Sequence, residues 1–250
     1  LTEVLKLPKK KLAELAELLE HSELSDIISA AAVVGERLKF LTALRPILFE
    51  SEMKKAVKER SQLHKILENN TWVFGERYNL WASDKELTTV LKVCSHKLGL
   101  DVVVDEKVKI IDKDRGIVDL VLGRTNKAGA ADEYDNLVVE LKAPKVTLNS
   151  EHVVQIEKYA DAIARDDRFH RVPGLRWHFW LIADNYDGYV ESRIDGGPNP
   201  RLRLIREGKV RIGIKTGGEV LDDNKARLSF VQERLKFEAT EQEALQSVKS

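Results

Sequence analysis

Apolar residues at helical spacing open the chain: Leu12, Leu15, Ala16 and Leu19, then Leu38, Leu41, Leu44 and Leu48. Their three-to-four-residue recurrence predicts a helical N-terminal region over residues 1–57, a packing or oligomerising unit. Pro46 is expected to break or kink one of its helices. Ser61–Glu68 reads as a further helix, after which the style changes. The stretch NNTWVFGERYNLW, Asn69–Trp81, brings the aromatics, asparagines and glycine of a turn and a short strand. The boundary falls near Val57, leaving 58–250 as the second domain.

Ser83 with Glu86 has capping-box spacing, and Leu87, Val90, Leu91, Cys94 and Leu98 continue as the apolar stripe of a helix ending near Gly99. β-Branched runs then predict strands at Val102–Val104, Lys107–Ile111, Gly116–Leu122 and Leu137–Ala143. The polar segment Gly123–Asn136 reads as a long hairpin connection. Asn149-Ser150 caps a helix to about Ala164. Trp177–Ala183 and Tyr189–Ile194 read as strands, and Leu202–Ile205 with Val210–Ile214 as a hairpin turning at Glu207-Gly208. The Gly217-Gly218 pair reads as a turn, and a last charged helix starts near Lys225. Strands in the middle with helices before, between and after predict a mixed α/β or α+β sheet domain.

Composition narrows the class only a little. Hydrophobic residues make up 43% and charged residues 33% of 250 positions, as in an ordinary globular protein. No apolar run is long enough to span a bilayer. The start, Leu1-Thr2-Glu3 followed by Lys9-Lys10-Lys11, lacks the pattern of a secretion signal. The single cysteine excludes an internal disulfide and a cysteine-built zinc site, which fits a reducing cytoplasm. Basic and acidic residues balance at 41 each, so contact with a polyanion must come from local patches. The first residue is leucine, which suggests an excerpt of a longer polypeptide with upstream domains.

Chemistry enters through two strands. In VVELKAP, Val138–Pro144, Glu140 and Lys142 share a face with Val138 by strand alternation. Such a pair is common on exposed strands. Asp119, however, sits among Ile117, Val118, Leu120 and Val121, where a lone buried carboxylate is costly. If the two strands pair, Asp119 and Glu140 converge, with Lys142 one pleat along. Two carboxylates at one point suit Mg²⁺ or Mn²⁺, which also relieves their repulsion.

Val118-Asp119 with Glu140-Leu141-Lys142 resembles the PD-(D/E)XK nuclease superfamily. Gln155-Ile156-Glu157-Lys158-Tyr159 matches the Gln-x-x-x-Tyr element of its RecB-like branch, and positions i and i+4 share a helix face. Glu59–Gly75 is similar to the helix leading into the sheet in mismatch endonucleases and in Shedu-type anti-phage defence nucleases, the nearest in character. The resemblance covers roughly Lys58 to Ala164. It departs from the family name at Val118, where proline is missing. It implies a restriction-endonuclease-like mixed sheet flanked by helices, an Mg²⁺- or Mn²⁺-dependent endonuclease, and DNA as the partner; a homo-oligomer is expected from the helical N-terminal region. Asp119, Glu140 and the Leu141 carbonyl would hold metal, with Glu59, or else Glu68, as the completing helical acid. Lys142 and Gln155 would act on the attacking water, and Tyr159, Lys145 and Lys158 would contact substrate. His152 lies near that group, and Arg201, Arg203, Lys209 and Arg211 on the late hairpin are further phosphate candidates. The alternatives are a silent nucleic-acid-binding module of the same fold and a repair nuclease. His178 is expected to be a packed strand residue.

Overall fold

The computed structural model describes residues 8–49, 60–111, 116–124, 134–143, 145–170, 172–236, 240, 244 and 245. The chain divides into two compact units, Arg45–Asp223 and a second formed by Leu1–Leu44 with Asn224–Ser250. No described helix is long and apolar enough to cross a membrane.

In the smaller unit, α1 (Lys9–Leu19) buries none of its residues. The following α2 (Leu24–Phe49), whose last residues from Arg45 on belong to the larger unit, has its leucine stripe inside, with Leu38, Leu41 and Leu44 at 6% exposure or less. Pro46 neither ends nor replaces this helix, which continues to Phe49. The expected boundary at Val57 lies outside the described residues.

The larger unit is α/β. After α3 (Arg60–Glu68) come β1 (Asn79–Glu86), α4 (Leu87–Leu98), β2 (Ile117–Gly123), β3 (Tyr134–Leu141), β4 (Thr147–Leu148) and α5 (Ser150–Ala164). Then follow α6 (Asp167–His170), β5 (Leu175–Ala183), β6 (Asn185–Tyr186), α7 (Gly188–Asp195), β7 (Leu204–Arg206), β8 (Val210–Thr216) and α8 (Gly217–Leu235), the last belonging to the smaller unit from Asn224 on. The central sheet has six strands in the order β1-β2-β3-β5-β8-β7, and β4 pairs with β6 separately. β1, β2 and β3 form an antiparallel meander, β3, β5 and β8 run parallel, and β7 returns antiparallel to β8. One face of the sheet packs Val121, Val138, Phe179, Leu181, Ile212 and Ile214 into a single core with residues of α4 and α5. Cys94 is wholly inside it, and burial pushes its thiol pKa up.

The structure corrects several expected elements. Val102–Val104 and Lys107–Ile111 form no strands; only Ile110 makes a bridge. Side chains of α4 take over the backbone pairing: Ser95 Oγ donates to the Leu100 and Val102 carbonyls, and Thr88 Oγ1 accepts from the Val108 N–H. Tyr189–Ile194 is the helix α7. Asp187 Oδ1 accepts the Val190 N–H at 3.0 Å, and Val190 and Ile194, both buried, serve an i, i+4 stripe as well as they would an alternating strand. Ser83 belongs to β1, and α4 begins without a side-chain cap. The real capping box is Thr216-x-x-Glu219, whose reciprocal bonds of 3.1 and 2.8 Å start α8 at Gly217, well before Lys225. Gly217 and Gly218 are therefore helical; added β-carbons would press on Leu48 and Phe49 at 3.0 and 3.1 Å.

Candidate functional site

The β2–β3 hairpin sets two acids side by side. Leu120 opposes Val139 and Val121 opposes Val138, and carrying that register one residue on puts Asp119 opposite Glu140. Directly opposed residues share a face of the sheet. Both are buried, at 0% and 1% exposure. Asp119 Oδ2 accepts the Leu141 N–H at 2.6 Å, so its carboxylate holds the main chain of β3 where the ladder between the strands ends. On the other side, Ser83 pairs with Leu120 and Lys85 with Val118, which sets Asp84 opposite Asp119. Three acidic positions thus form one row across β1, β2 and β3.

Helix α5 closes over Glu140. Its start is fixed by a capping box in which Asn149 Oδ1 accepts from the His152 N–H and His152 Nδ1 accepts from the Asn149 N–H at 3.2 Å. The phase set by that cap aims Gln155 and Tyr159, one turn apart, at the strand. Lys142 Nζ donates to Glu140 Oε1 at 3.0 Å and to Gln155 Oε1 at 3.2 Å. Gln155 Nε2 is 3.3 Å from Glu140 Oε1 and 3.1 Å from the Tyr159 hydroxyl. Glu140, Lys142, Gln155 and Tyr159 are therefore one connected group, with the Lys142 side chain only 14% exposed.

A histidine that the motif reading passes over joins from α3. His64 is 4% exposed; its Nε2 lies 2.9 Å from Ser83 Oγ and its Nδ1 3.3 Å from Asp84 Oδ2. A nitrogen of His64 and carboxylate oxygens of Asp84 and Asp119 all lie within 4.8 Å of one another. Asp84 reaches this group with φ at 51°, a left-handed conformation rare in strands and tolerated best by Asn and Asp. The signal in the sequence was a polar residue, His64, beside Leu63 and Leu67 on the buried side of a helix. Glu68, half-buried one turn further on, is not in this group, and Glu59 lies outside the described residues.

These donors fit a divalent cation. In the tautomer whose Nε2–H donates to Ser83, the Nδ1 lone pair faces a carboxylate oxygen and suits a cation between them; in the other, the Ser83 hydroxyl donates to Nε2 and Nδ1–H to Asp84. A metal-binding imidazole usually has its second nitrogen fixed by an acceptor, a place that Ser83 Oγ takes here. Nitrogen beside two carboxylates suits Mn²⁺ at least as well as Mg²⁺, which prefers oxygen alone.

The remaining candidates lie apart from this chemistry or have other tasks. Lys145 is exposed and Lys158 half-buried. His152 serves the helix cap, and burial, followed by the nearby Lys142 ammonium, lowers its pKa. Arg203 pairs with Glu219 at 2.5 Å, Lys209 donates to the His170 carbonyl and Arg211 pairs with Glu207 at 3.5 Å. His178 is a strand residue of β5, 3.4 Å from Asp135. No family model matches the chain, and comparison with curated proteins and with solved structures finds no match either.

Proposed function

We propose that this chain is a metal-dependent phosphodiesterase acting on DNA, with a restriction-endonuclease-like core and a place in anti-phage defence. The observation that carries this reading is that Asp119 and Glu140, both buried, stand opposite each other on neighbouring strands, with Lys142 and Gln155 bonded to Glu140. Asp119 and Glu140, with Asp84 and His64 beside them and the Leu141 carbonyl as a further donor, would hold the ion. When bound, it would supply positive charge to the oxygens of the scissile phosphate.

The protein's own groups have defined work. Lys142 has three N–H donors, and two are engaged by Glu140 and Gln155. The third can hold the attacking water or a phosphate oxygen. An ammonium that donates to two acceptors has no lone pair to take a proton, so Lys142 positions the water and stabilises charge in preference to acting as the base. Gln155 fixes Lys142 through its carbonyl oxygen, and the Tyr159 hydroxyl in turn holds the Gln155 amide. The departure at Val118 leaves this arrangement intact, because that residue is wholly buried and contributes packing alone.

Purified protein with Mg²⁺ or Mn²⁺ is expected to cleave DNA when linear, circular and single-stranded substrates are compared side by side. Lys142→Ala is expected to lose cleavage while retaining the wild-type circular dichroism spectrum. Equal cleavage by the variant and the parent would remove Lys142 from the site. Metal-dependent DNA binding without cleavage by the parent would favour the silent binding module.

A further inference from the structure

The other face of the sheet carries a second concavity. Leu137 and Glu140 differ by an odd number of positions on β3, so they point to opposite faces. Leu137 lines a cleft of about 540 Å³ with residues of β5, β8 and the segment before β7, within the usual range for small-ligand sites. Strands in the middle of a sheet covered on both sides read as apolar throughout. Here β5 buries Trp177, Phe179 and Leu181 on the core face but turns His178 and Trp180 outward, and β8 turns Arg211 and Lys215 outward. Cations and aromatic rings thus occupy the centre of the sheet, where packing alone would select aliphatic side chains.

The cations outnumber the acids. Arg124, Arg201, Arg203, Arg211 and Lys215 line the cleft against Glu219 and Asp223. Several are held in place by ion pairs: Arg203 by Glu219 and the Tyr186 hydroxyl, Lys215 by Asp223, and Arg124 by Asp135 at 3.3 Å. Arg201 has no ion pair or hydrogen bond among the described residues. The Nε–H groups of Arg124 and Arg211 are buried and likewise donate to nothing among the described residues. An exposed guanidinium such as that of Arg201 at the rim of a cationic cleft is what a planar or tetrahedral oxyanion satisfies, and it does so with two bonds at once.

The aromatic half of the cleft is equally fixed. Trp180 pairs directly with Gly213 on β8, and a β-carbon at Gly213 would come within 2.4 Å of the indole. The six-membered ring of the indole therefore lies directly against Gly213, with Lys215 Nζ over it 4.9 Å from its centre. Tyr78 carries the Arg124 guanidinium 4.5 Å above its own ring.

We propose that this cleft binds a nucleoside polyphosphate, with the arginines taking the phosphates and the flat Trp180 indole supporting the base. Phosphate entering beside Lys215 competes with Asp223 for the ammonium, which clears the outer surface of the indole for stacking. The site stands on the sheet face opposite Glu140 and does not depend on the phosphodiesterase reading.

ATP is the probe, titrated calorimetrically into the whole chain in EDTA so that a cation at the acidic row contributes nothing. Saturable binding with one ATP per chain is expected. Arg201→Glu, at an exposed position without partners among the described residues, should leave the unfolding midpoint unchanged and weaken ATP by about tenfold or more. Trp180→Leu should weaken ATP and leave inorganic tripolyphosphate unaffected. Absence of saturable ATP binding, or affinity indifferent to Arg201→Glu, overturns the proposal. Tripolyphosphate binding as tightly as ATP, or a short DNA strand binding in preference to it, overturns the assignment to a nucleotide.

Discussion

Asp119→Asn separates the charge of the acidic row from its hydrogen bonding. The asparagine carbonyl oxygen can still accept the Leu141 N–H that Asp119 accepts at 2.6 Å, so the geometry of the hairpin end is kept. Exchanging a charged acceptor for a neutral one costs about 1 kcal/mol. Against that, a carboxylate at 0% exposure, in a row with Asp84 and Glu140, no longer has to be desolvated near like charges, which returns a similar amount. The variant without metal is therefore expected to unfold within a few degrees of the wild type. Its response to metal differs. A cation at about 100 times its Kd stabilises the folded state by about 2.7 kcal/mol. For a unit the size of residues 45–223, with about 2–4 °C per kcal/mol, the wild-type midpoint should rise by roughly 5–11 °C. Scanning fluorimetry with Mn²⁺ or Mg²⁺ against EDTA reads this directly, with no reference to catalysis. Asp119→Asn should lose most of the shift. A full shift in the variant, or none in the wild type with either ion, would refute the metal site at these acids.

Two further outcomes test the cap of α5 beside the site and the packing on the opposite face of the sheet. The His152 pKa is depressed below its ordinary value near 6.5, so the cap bond to its Nδ1 contributes fully above that value and is lost as pH falls through the folded one. The wild-type unfolding midpoint should drop below about pH 6.5 relative to His152→Gln, whose side-chain carbonyl can replace the acceptor at the same position of the capping box; parallel pH profiles would rule this out. Gly213→Ala should destabilise by about 1–3 kcal/mol in urea unfolding, because the new methyl meets the Trp180 ring at 2.4 Å. A neutral substitution would mean that the indole is free to move.

Much of the frame was legible in local pattern. Runs of β-branched and other apolar residues located β2, β3 and β5, the leucines at helical spacing located the buried stripe of α2, and Asn149 announced α5, because each of these signals is settled by neighbours a few residues away. It failed where a local pattern admits two readings. Val190 and Ile194 satisfy strand alternation and a helical stripe alike, and only the Asp187 cap and the core beneath chose the helix. Val102–Val104 and Lys107–Ile111 have strand-forming residues, yet the Val102 carbonyl is taken by Ser95 and the Val108 N–H by Thr88, both from α4.

For the site, the sequence by itself determined which residues bear charge inside apolar runs, and hence singled out Asp119 and Glu140. Only the tertiary structure decided that α5 docks so that Gln155 bridges Glu140 and Lys142, and that His64 and Asp84, 20 residues apart, meet Asp119. Spacing along the chain carries no information about which helix faces which strand end. That is set by the sheet's register and by how the buried faces of α3 and α5 fit their neighbours, a property of packing across the whole unit that no short stretch of sequence contains.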